Sequence, residues 1–255
     1  SLRVRTGDTV KKGETLASQD KSVLSAQLAQ ARASVVGAKA NLAKIEAGAT
    51  PEAIALSRAG VTVARRNLDN KYQGVPASLA DAYAKTIDAT ANQLTALVSN
   101  PSTANPQLTF LVSDSAIATA IGPAFVDLYV DLADWKTELA SLSTDPSDVE
   151  LDTALLRADL HLKKAADLLS LAVSAVAANT GLSASTATSY RTSVALGQSE
   201  VNGAIAALNS LEQGIAAAKA SLDQANAALS LTEHANTAND LDAARAALAQ
   251  AEANL

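Results

Sequence analysis

The feature that most constrains this chain is a long 4-3 spacing of small and apolar residues in its last third. The spacing starts at Tyr190 and continues for about eleven helical turns, through Val194, Gly197, Val201, Ala204, Leu208, Leu211, Ile215, Ala218, Leu222, Ala225 and Leu229. Such a seam is buried when one helix packs along another. Because many of its positions alternate Leu with Ala, two helix axes can approach closely, and we expect a single antiparallel partner helix.

A second seam lies near the start of the chain. It consists of Leu24, Leu28, Ala31, Val35, Ala38, Leu42 and Ile45. It stops at Ala47-Gly48-Ala49, and a new helix start follows, with Thr50 as N-cap and Pro51 at the first helical position. The pattern predicts helices over residues 22–46 and 51–72.

An internal repeat identifies the partner of these helices. Residues 40–68 align without gaps on residues 227–255, with nine identities in 29 positions. The two interruptions, AGATPE and HANTAND, fall at the same place in the repeat. The chain therefore has two similar arms, each with a break, and we expect them to run antiparallel with the breaks level.

The middle of the chain, about residues 74–192, differs in character because it holds nearly all the aromatic residues. Its apolar spacing predicts one helix through Leu97, a second with Trp135 and a third through Val176, and the first part of the long last helix adds a fourth. The dipeptide Gly122-Pro123 predicts a bend or restart in the second helix. Asp145 and Pro146 predict the start of the third. The expected architecture is a four-helix bundle.

The first stretch, GDTVKKGETLASQD over residues 7–20, is not helical in pattern. Gly7-Asp8 and Lys12-Gly13 are turn dipeptides between short extended pieces with Val4, Val10 and Leu16 as the main apolar residues. The pattern predicts two or three short strands. About twenty residues of strand cannot bury enough surface to be stable alone, so we expect this segment to need a complement.

This order of elements resembles the HlyD-like periplasmic adaptor, or membrane fusion, proteins of bacterial export systems. The first half-motif of that family's lipoyl-like domain reads V-x-x-G-D-x-V-K-K-G-x-x-L-A-x-x-D, and ten positions match it: Val4, Gly7, Asp8, Val10, Lys11, Lys12, Gly13, Leu16, Ala17 and Asp20. Gln19 departs, because an apolar residue is usual there. The element Ala47–Ile54 is similar to the family's break within the ascending arm.

The resemblance implies a mainly all-α fold, a long antiparallel coiled-coil hairpin with an inserted helical bundle, plus a short N-terminal β segment. It divides the chain into four parts: residues 1–21 as the first half of a lipoyl-like domain, 22–73 as the ascending arm, 74–192 as the inserted bundle and 193–255 as the descending arm. The second half of the lipoyl-like domain is expected after Leu255. The insert occupies the place of the family's short tip, which puts channel docking by a standard tip in doubt.

The resemblance also implies a non-enzymatic adaptor of an efflux or secretion assembly, located outside the cytoplasm and anchored by a segment not in this chain. The expected partners are an inner-membrane transporter of the ABC or RND type and an outer channel or cell-envelope component, with a homo-oligomer as the working form. The alternatives are an extracytoplasmic ligand-sensing helical bundle and a plain coiled-coil or lipid-binding protein.

No catalytic, cofactor or metal site is expected from the residues. His161 and His234, the only histidines, are far apart in sequence and lack a second ligand at helical spacing. The acidic residues Glu150, Asp152 and Asp159 lie near a predicted helix start, where carboxylates favour the dipole. Trp135, Phe125 and Tyr129 are interpreted as bundle core, with a ligand pocket as the alternative.

Three function classes are disfavoured by composition and charge. The absence of Cys excludes disulfides and thiolate chemistry. The basic excess of residues 1–75, with 12 basic and 6 acidic side chains, is scattered without interleaved aromatics, so nucleic-acid binding is not expected. No uncharged run of 18 apolar residues occurs, so we expect no membrane span within the chain.

Overall fold

The computed structural model describes residues 2–101 and 103–255, and it is 76% helical, so the fold is mainly all-α. The seven α-helices are α1 (Ser22–Ala47), α2 (Pro51–Gln73), α3 (Val75–Ile87), α4 (Ser115–Ser141), α5 (Asp148–Ala177), α6 (Ala184–Glu233) and α7 (Ala238–Ala253). A π-helical turn (Asp88–Asn92) and a 3₁₀ turn (Thr95–Leu97) follow α3. Two short strands, β1 (Val98–Ser99) and β2 (Gln107–Leu108), pair antiparallel with Val98 opposite Leu108.

The chain forms two compact units. The first contains Ser1–Val61 and Ala225–Leu255, and the second contains Thr62–Gln224. The four-part division expected from the resemblance remains a prediction. The second unit includes the whole middle region, the C-terminal half of α2 and most of α6.

In the first unit, α1 and α7 pack side by side and antiparallel. Asn236, just before α7, donates to the carbonyl of Ile45 near the end of α1, whereas Lys39, earlier in α1, pairs with Glu252 near the end of α7 at 3.2 Å. The seam residue Val35 is buried, as is Ala244 on α7. Small residues, such as Ala38 on α1 and Ala244 on α7, allow the two helix axes to approach closely.

Local capping accounts for where the broken arms resume. The Thr50 hydroxyl accepts from the Ala53 N–H at 3.2 Å, which confirms the predicted start of α2. At the other break, the Thr237 hydroxyl accepts from the Asp240 N–H and the Asp240 carboxylate accepts from the Thr237 N–H. This capping box starts α7 and was not predicted.

The N-terminal segment contains less β structure than predicted. Its residues 2–20 form one antiparallel bridge, in which Arg3 N–H donates to the Leu16 carbonyl at 2.9 Å, and no longer strand. Gly7 and Gly13 have positive φ values of 104° and 92°, as the turn dipeptides predict. The prediction of two or three strands is wrong for the described residues. Leu2, Val10 and Leu16 remain exposed, because no other apolar surface packs against them to stabilise strands.

One apolar core organises the second unit. It is made by side chains from α2 to α6, of which the largest fully buried are Trp135, Leu79, Leu94, Leu97, Ile121, Leu162, Leu168, Leu169, Val75, Val176, Val194 and Val201. Leu97 lies in this core, but the single helix predicted through it is wrong: α3 ends at Ile87 and gives way to the π-helical and 3₁₀ turns.

Two further helix boundaries in this unit were predicted. Of the bend or restart predicted at Gly122-Pro123, the restart is absent: α4 continues through Pro123, and Ile121 and Phe125 on either side are buried in the core and hold the helix against it. The bend stays a prediction. α5 begins after Ser147, whose hydroxyl accepts from the Glu150 N–H at 3.2 Å, and the predicted Asp145 cap is therefore wrong.

One helix among the described residues, α4, is long and apolar enough to cross a membrane when judged by length and composition alone. The expectation that the chain lacks such a segment does not hold by this criterion. The same helix supplies Ile121, Phe125, Leu128 and Trp135 to the core of the second unit. A core helix meets the same criterion, but 28% of the most apolar window of α4 is buried, so its core position accounts for part of its apolar composition.

Candidate functional site

The most extensive polar network of the second unit joins α4 to α5. His161 lies between two carboxylates, with Nδ1 2.7 Å from Asp131 Oδ2 and Nε2 3.1 Å from Glu138 Oε2. Lys164 Nζ donates to Asp131 Oδ1 at 2.6 Å, and Arg157 donates to Glu138 Oε1 at 3.1 Å. We call these five residues the α4–α5 polar cluster.

The cluster is built from residues that helical spacing puts on facing sides of two helices. Asp131 and Glu138 are seven residues apart on α4, and His161 and Lys164 are three apart on α5, so each pair shares a face. Asp131 and His161 are buried, and the hydrogen bond from Lys164 to Asp131 raises the lysine pKa above its ordinary value. A buried carboxylate with two cationic or donor partners is fully hydrogen-bonded, as burial requires.

Trp135 connects the polar cluster to the apolar core. Its ring stacks on the His161 ring with centroids 4.9 Å apart, and Tyr83 contacts it edge-on at 5.4 Å. Trp135 is 1% exposed. Its interpretation as a core residue is consistent with this position, as is that of the buried Phe125, whereas Tyr129 is exposed.

A second, smaller polar group ties α2, α5 and α6 together within the same unit. Asp152 accepts from the Tyr72 hydroxyl at 2.9 Å and from Lys219 Nζ at 2.7 Å. Burial raises the pKa of Tyr72, and the Asp152 hydrogen bond raises the pKa of Lys219. Asp152 was predicted only as a helix-start carboxylate, so its role as a link between three helices was missed.

A carboxyl pair lies where the π-helical turn meets α6. Burial, and after it the hydrogen bond to Asp88, raise the pKa of Glu200. Hydrogen bonds from Asn92 and Gln93 lower the pKa of Asp88. The surroundings therefore favour the protonated form of Glu200 over the protonated form of Asp88.

The other predicted residues of interest do not converge. His234, directly after α6, contacts the Ser230 carbonyl of that helix at 2.9 Å. Glu150 accepts from the Ser143 N–H and hydroxyl, and Asp159 is exposed. Among residues 2–101 and 103–255, no three His, Asp or Glu side chains are arranged to hold a metal ion.

Two of the cavities in the second unit lie against α4. One of 400 Å³ lies between the end of α4 and the start of α5, beside Trp135, Glu138 and Arg157. The other, of 230 Å³, lies between α4 and the π-helical turn and has a mainly apolar lining. Trp135 lines the first cavity, and Phe125 and Tyr129 line the second, so the residues for which a ligand pocket was the alternative interpretation do border cavities. The shape of each cavity depends on how whole elements pack and was not predicted.

In the first unit, the two interrupted arms contact each other through polar side chains near their breaks. Besides the contact of Asn236 with Ile45, Arg58 on α2 pairs with Glu233 on α6 at 2.9 Å. Arg245, the repeat counterpart of Arg58, instead contacts Asp242 of its own helix at 3.6 Å. The two copies of the repeat therefore share their helices and breaks, but their equivalent arginines form different ion pairs.

No protein-family model, curated protein or solved structure matches this chain. The resemblance to HlyD-like adaptors therefore depends on the N-terminal half-motif, the break motif and the order of the elements.

Proposed function

We propose that this protein is a non-enzymatic adaptor of a bacterial export assembly, in which helical arms space and couple a membrane pump to outer components. The observation that carries the proposal is the pairing of the two interruptions in the first unit. The Asn236 side chain, in one break, bonds the chain beside the other break at Ile45. Two arms with matched breaks, preceded by the GDTVKKG stretch, are what the resemblance predicts.

The finer architecture belongs to the same proposal. Residues 1–21 are one half of a lipoyl-like domain, and α1, α2, α6 and α7 form a long coiled-coil hairpin that carries an inserted helical bundle. The exposed Leu2, Val10 and Leu16 support the first part, because an incomplete β domain leaves its apolar residues uncovered. The continuous 50-residue helix α6 supports the second, since a spacer needs a stiff element.

The proposed partners follow from that function. They are an inner-membrane transporter of the ABC or RND type and an outer channel or other envelope component, with the protein working as a homo-oligomer outside the cytoplasm. The polar groups described above support a structural role, because each pairs side chains from different helices or turns of the second unit.

Affinity purification of the tagged, full gene product from detergent-solubilised membranes tests the proposal. We expect mass spectrometry to identify an export transporter as a co-purifying protein. In cells lacking the gene, we expect a specific group of compounds or proteins to be retained, as measured in the medium and in cell extracts. A well-folded protein that enriches no transporter, and whose loss changes no export, would overturn the proposal.

A matched pair of substitutions on α6 tests whether the helical seam is needed. Leu208 is 4% exposed and Leu196 is 50% exposed on the same helix. We expect Leu208→Asp to abolish export and Leu196→Asp to preserve it, because only the first puts a carboxylate into the packed seam. Equal effects of the two substitutions, at equal protein levels, would contradict a spacer role.

A further inference from the structure

The 230 Å³ cavity of the second unit is enclosed on two sides by different kinds of backbone. One side is α4, and the other is the π-helical turn together with Pro101, which lies shortly after β1. The residues that line it are Thr90, Ala91, Pro101, Phe125, Leu128, Tyr129 and Leu132. Ala91 and Tyr129 are exposed, so the cavity opens to solvent at their edge.

The chemistry of the lining defines the kind of molecule that fits. None of the described lining residues is charged, and the side-chain polar atoms are the hydroxyls of Thr90 and Tyr129. The Thr90 hydroxyl donates to the Thr86 carbonyl at 2.6 Å, so its proton is already used and its oxygen can only accept. A charged ligand would lose its hydration here without gaining a counter-charge.

The π-helical wall is held in place from its far side. A Cβ on Gly197 of α6 would lie 2.8 Å from the Ala89 carbonyl oxygen, so α6 and the π-helical turn are in close backbone contact. The hydroxyls of Thr86 and Thr90 donate to the Ala82 and Thr86 carbonyls along the same wall. Single π-helical turns are rare and occur frequently at functional sites.

We propose that this cavity binds a small, uncharged and mainly apolar organic molecule, of about the size of a substituted benzene. An apolar cavity of about 150 Å³ is already large enough to bind benzene. An apolar ligand displaces water that the mainly apolar lining holds with few hydrogen bonds, which favours binding. A single hydroxyl donor on the ligand can bond to Thr90. The inference is independent of the adaptor proposal.

NMR titration with toluene, phenol and benzoate tests the site, with the ligand signals giving the Kd and the leucine methyl signals of the protein giving the location. We expect toluene and phenol to bind saturably and benzoate to bind at least tenfold more weakly. Toluene should shift the methyl signals of Leu128 and Leu132 but not those of the exposed Leu156. Failure of toluene to saturate, shifts spread evenly over all three leucines, or equal binding of benzoate would overturn the proposal.

Two Ala-to-Phe substitutions, one at the cavity and one elsewhere on the surface, test whether ligand binding requires the cavity to be open. Ala91→Phe puts a ring at the cavity edge, whereas Ala133→Phe puts the same ring on an exposed position of α4 outside the lining. We expect the Kd for toluene to rise at least tenfold in the first variant and to stay unchanged in the second. Unfolding of Ala91→Phe is checked by Trp135 fluorescence, and in that case Leu128→Ala is used instead. Leu128→Ala enlarges the cavity, and we expect it to bind naphthalene at least tenfold more tightly than the unaltered protein does; equal naphthalene binding by both would overturn the site.

Discussion

His161 Nδ1 lies 2.7 Å from Asp131 Oδ2, and this contact joins α5 to α4 in the buried part of the second unit. Asp131 is 6% exposed, and it also accepts from Lys164 at 2.6 Å. The carboxylate is therefore the acceptor for two partners from one helix. Its loss removes this acceptor from both residues, after which His161 keeps only the contact with Glu138 and Lys164 the longer one with Asp127.

We expect Asp131→Ala to lower the free energy of unfolding by about 1–3 kcal/mol, because the buried His161 loses one of its two hydrogen-bond partners. Urea unfolding followed by the fluorescence of Trp135, the single Trp of the chain, measures the change. Asp127 is the control, since its carboxylate is 70% exposed and 3.9 Å from Lys164. Asp127→Asn should change the stability by less than about 1 kcal/mol, and a similar loss in both variants would contradict the assignment.

The contact of Gly197 with the π-helical turn gives a second prediction. A Cβ at this position would lie 2.8 Å from the Ala89 carbonyl and 2.9 Å from Leu169 Cδ2, so Gly197→Ala should destabilise the protein by about 1–3 kcal/mol. Gly203 lies on the same helix with nothing within 4 Å of an added Cβ. There the same substitution should stabilise by about 0.5–1 kcal/mol through better helix propensity. The two changes in urea midpoint should thus have opposite signs.

Glu200 makes stability depend on pH in a direction set by its raised pKa. A carboxyl whose folded pKa lies above its unfolded value stabilises the protein below the unfolded pKa of about 4.5. That contribution is lost as the pH rises through the folded pKa. We expect Glu200→Gln to raise the urea midpoint at pH 7 relative to the unaltered protein and to remove this part of the decline between pH 4 and pH 7.

The control for this titration is Asp159→Asn, which removes an exposed carboxylate from α5. It should leave the difference in midpoint between pH 4 and pH 7 unchanged. If Glu200→Gln lowers the midpoint at pH 7, Glu200 acts there as a needed charge and the carboxyl-pair interpretation is wrong.

Adjacent valines on α1 test the packing of the first unit. Val35 is 7% exposed and Val36 is 66% exposed. Val35→Asp should cost about 2–4 kcal/mol of local stability, since it buries a charge against α7, whereas Val36→Asp should cost little. Hydrogen exchange of the α1 and α7 amides measures the difference. Faster exchange confined to α1, without any change in α7, would show that the two helices do not depend on each other.

Local sequence signals determined most of the helix boundaries. The 4-3 seams, the Thr50–Pro51 start and the interruption before Thr237 placed α1, α2, α6 and α7 within a few residues, because capping and apolar spacing act over one or two turns. The aromatic content of the middle region also identified the part of the chain with the thicker core. These features need no information about distant residues.

Tertiary packing decided what local patterns could not. Gly122-Pro123 predicts a bend or restart, and the core burial of Ile121 and Phe125 on both sides keeps α4 from restarting there. The segment after Ile87 has helical spacing but becomes a π-helical turn where α6 approaches at Gly197. His161 has no ligand at helical spacing on its own helix, and its carboxylate partners come from α4, 23 and 30 residues earlier. Contacts between helices depend on their mutual position, which sequence periodicity within each helix does not determine.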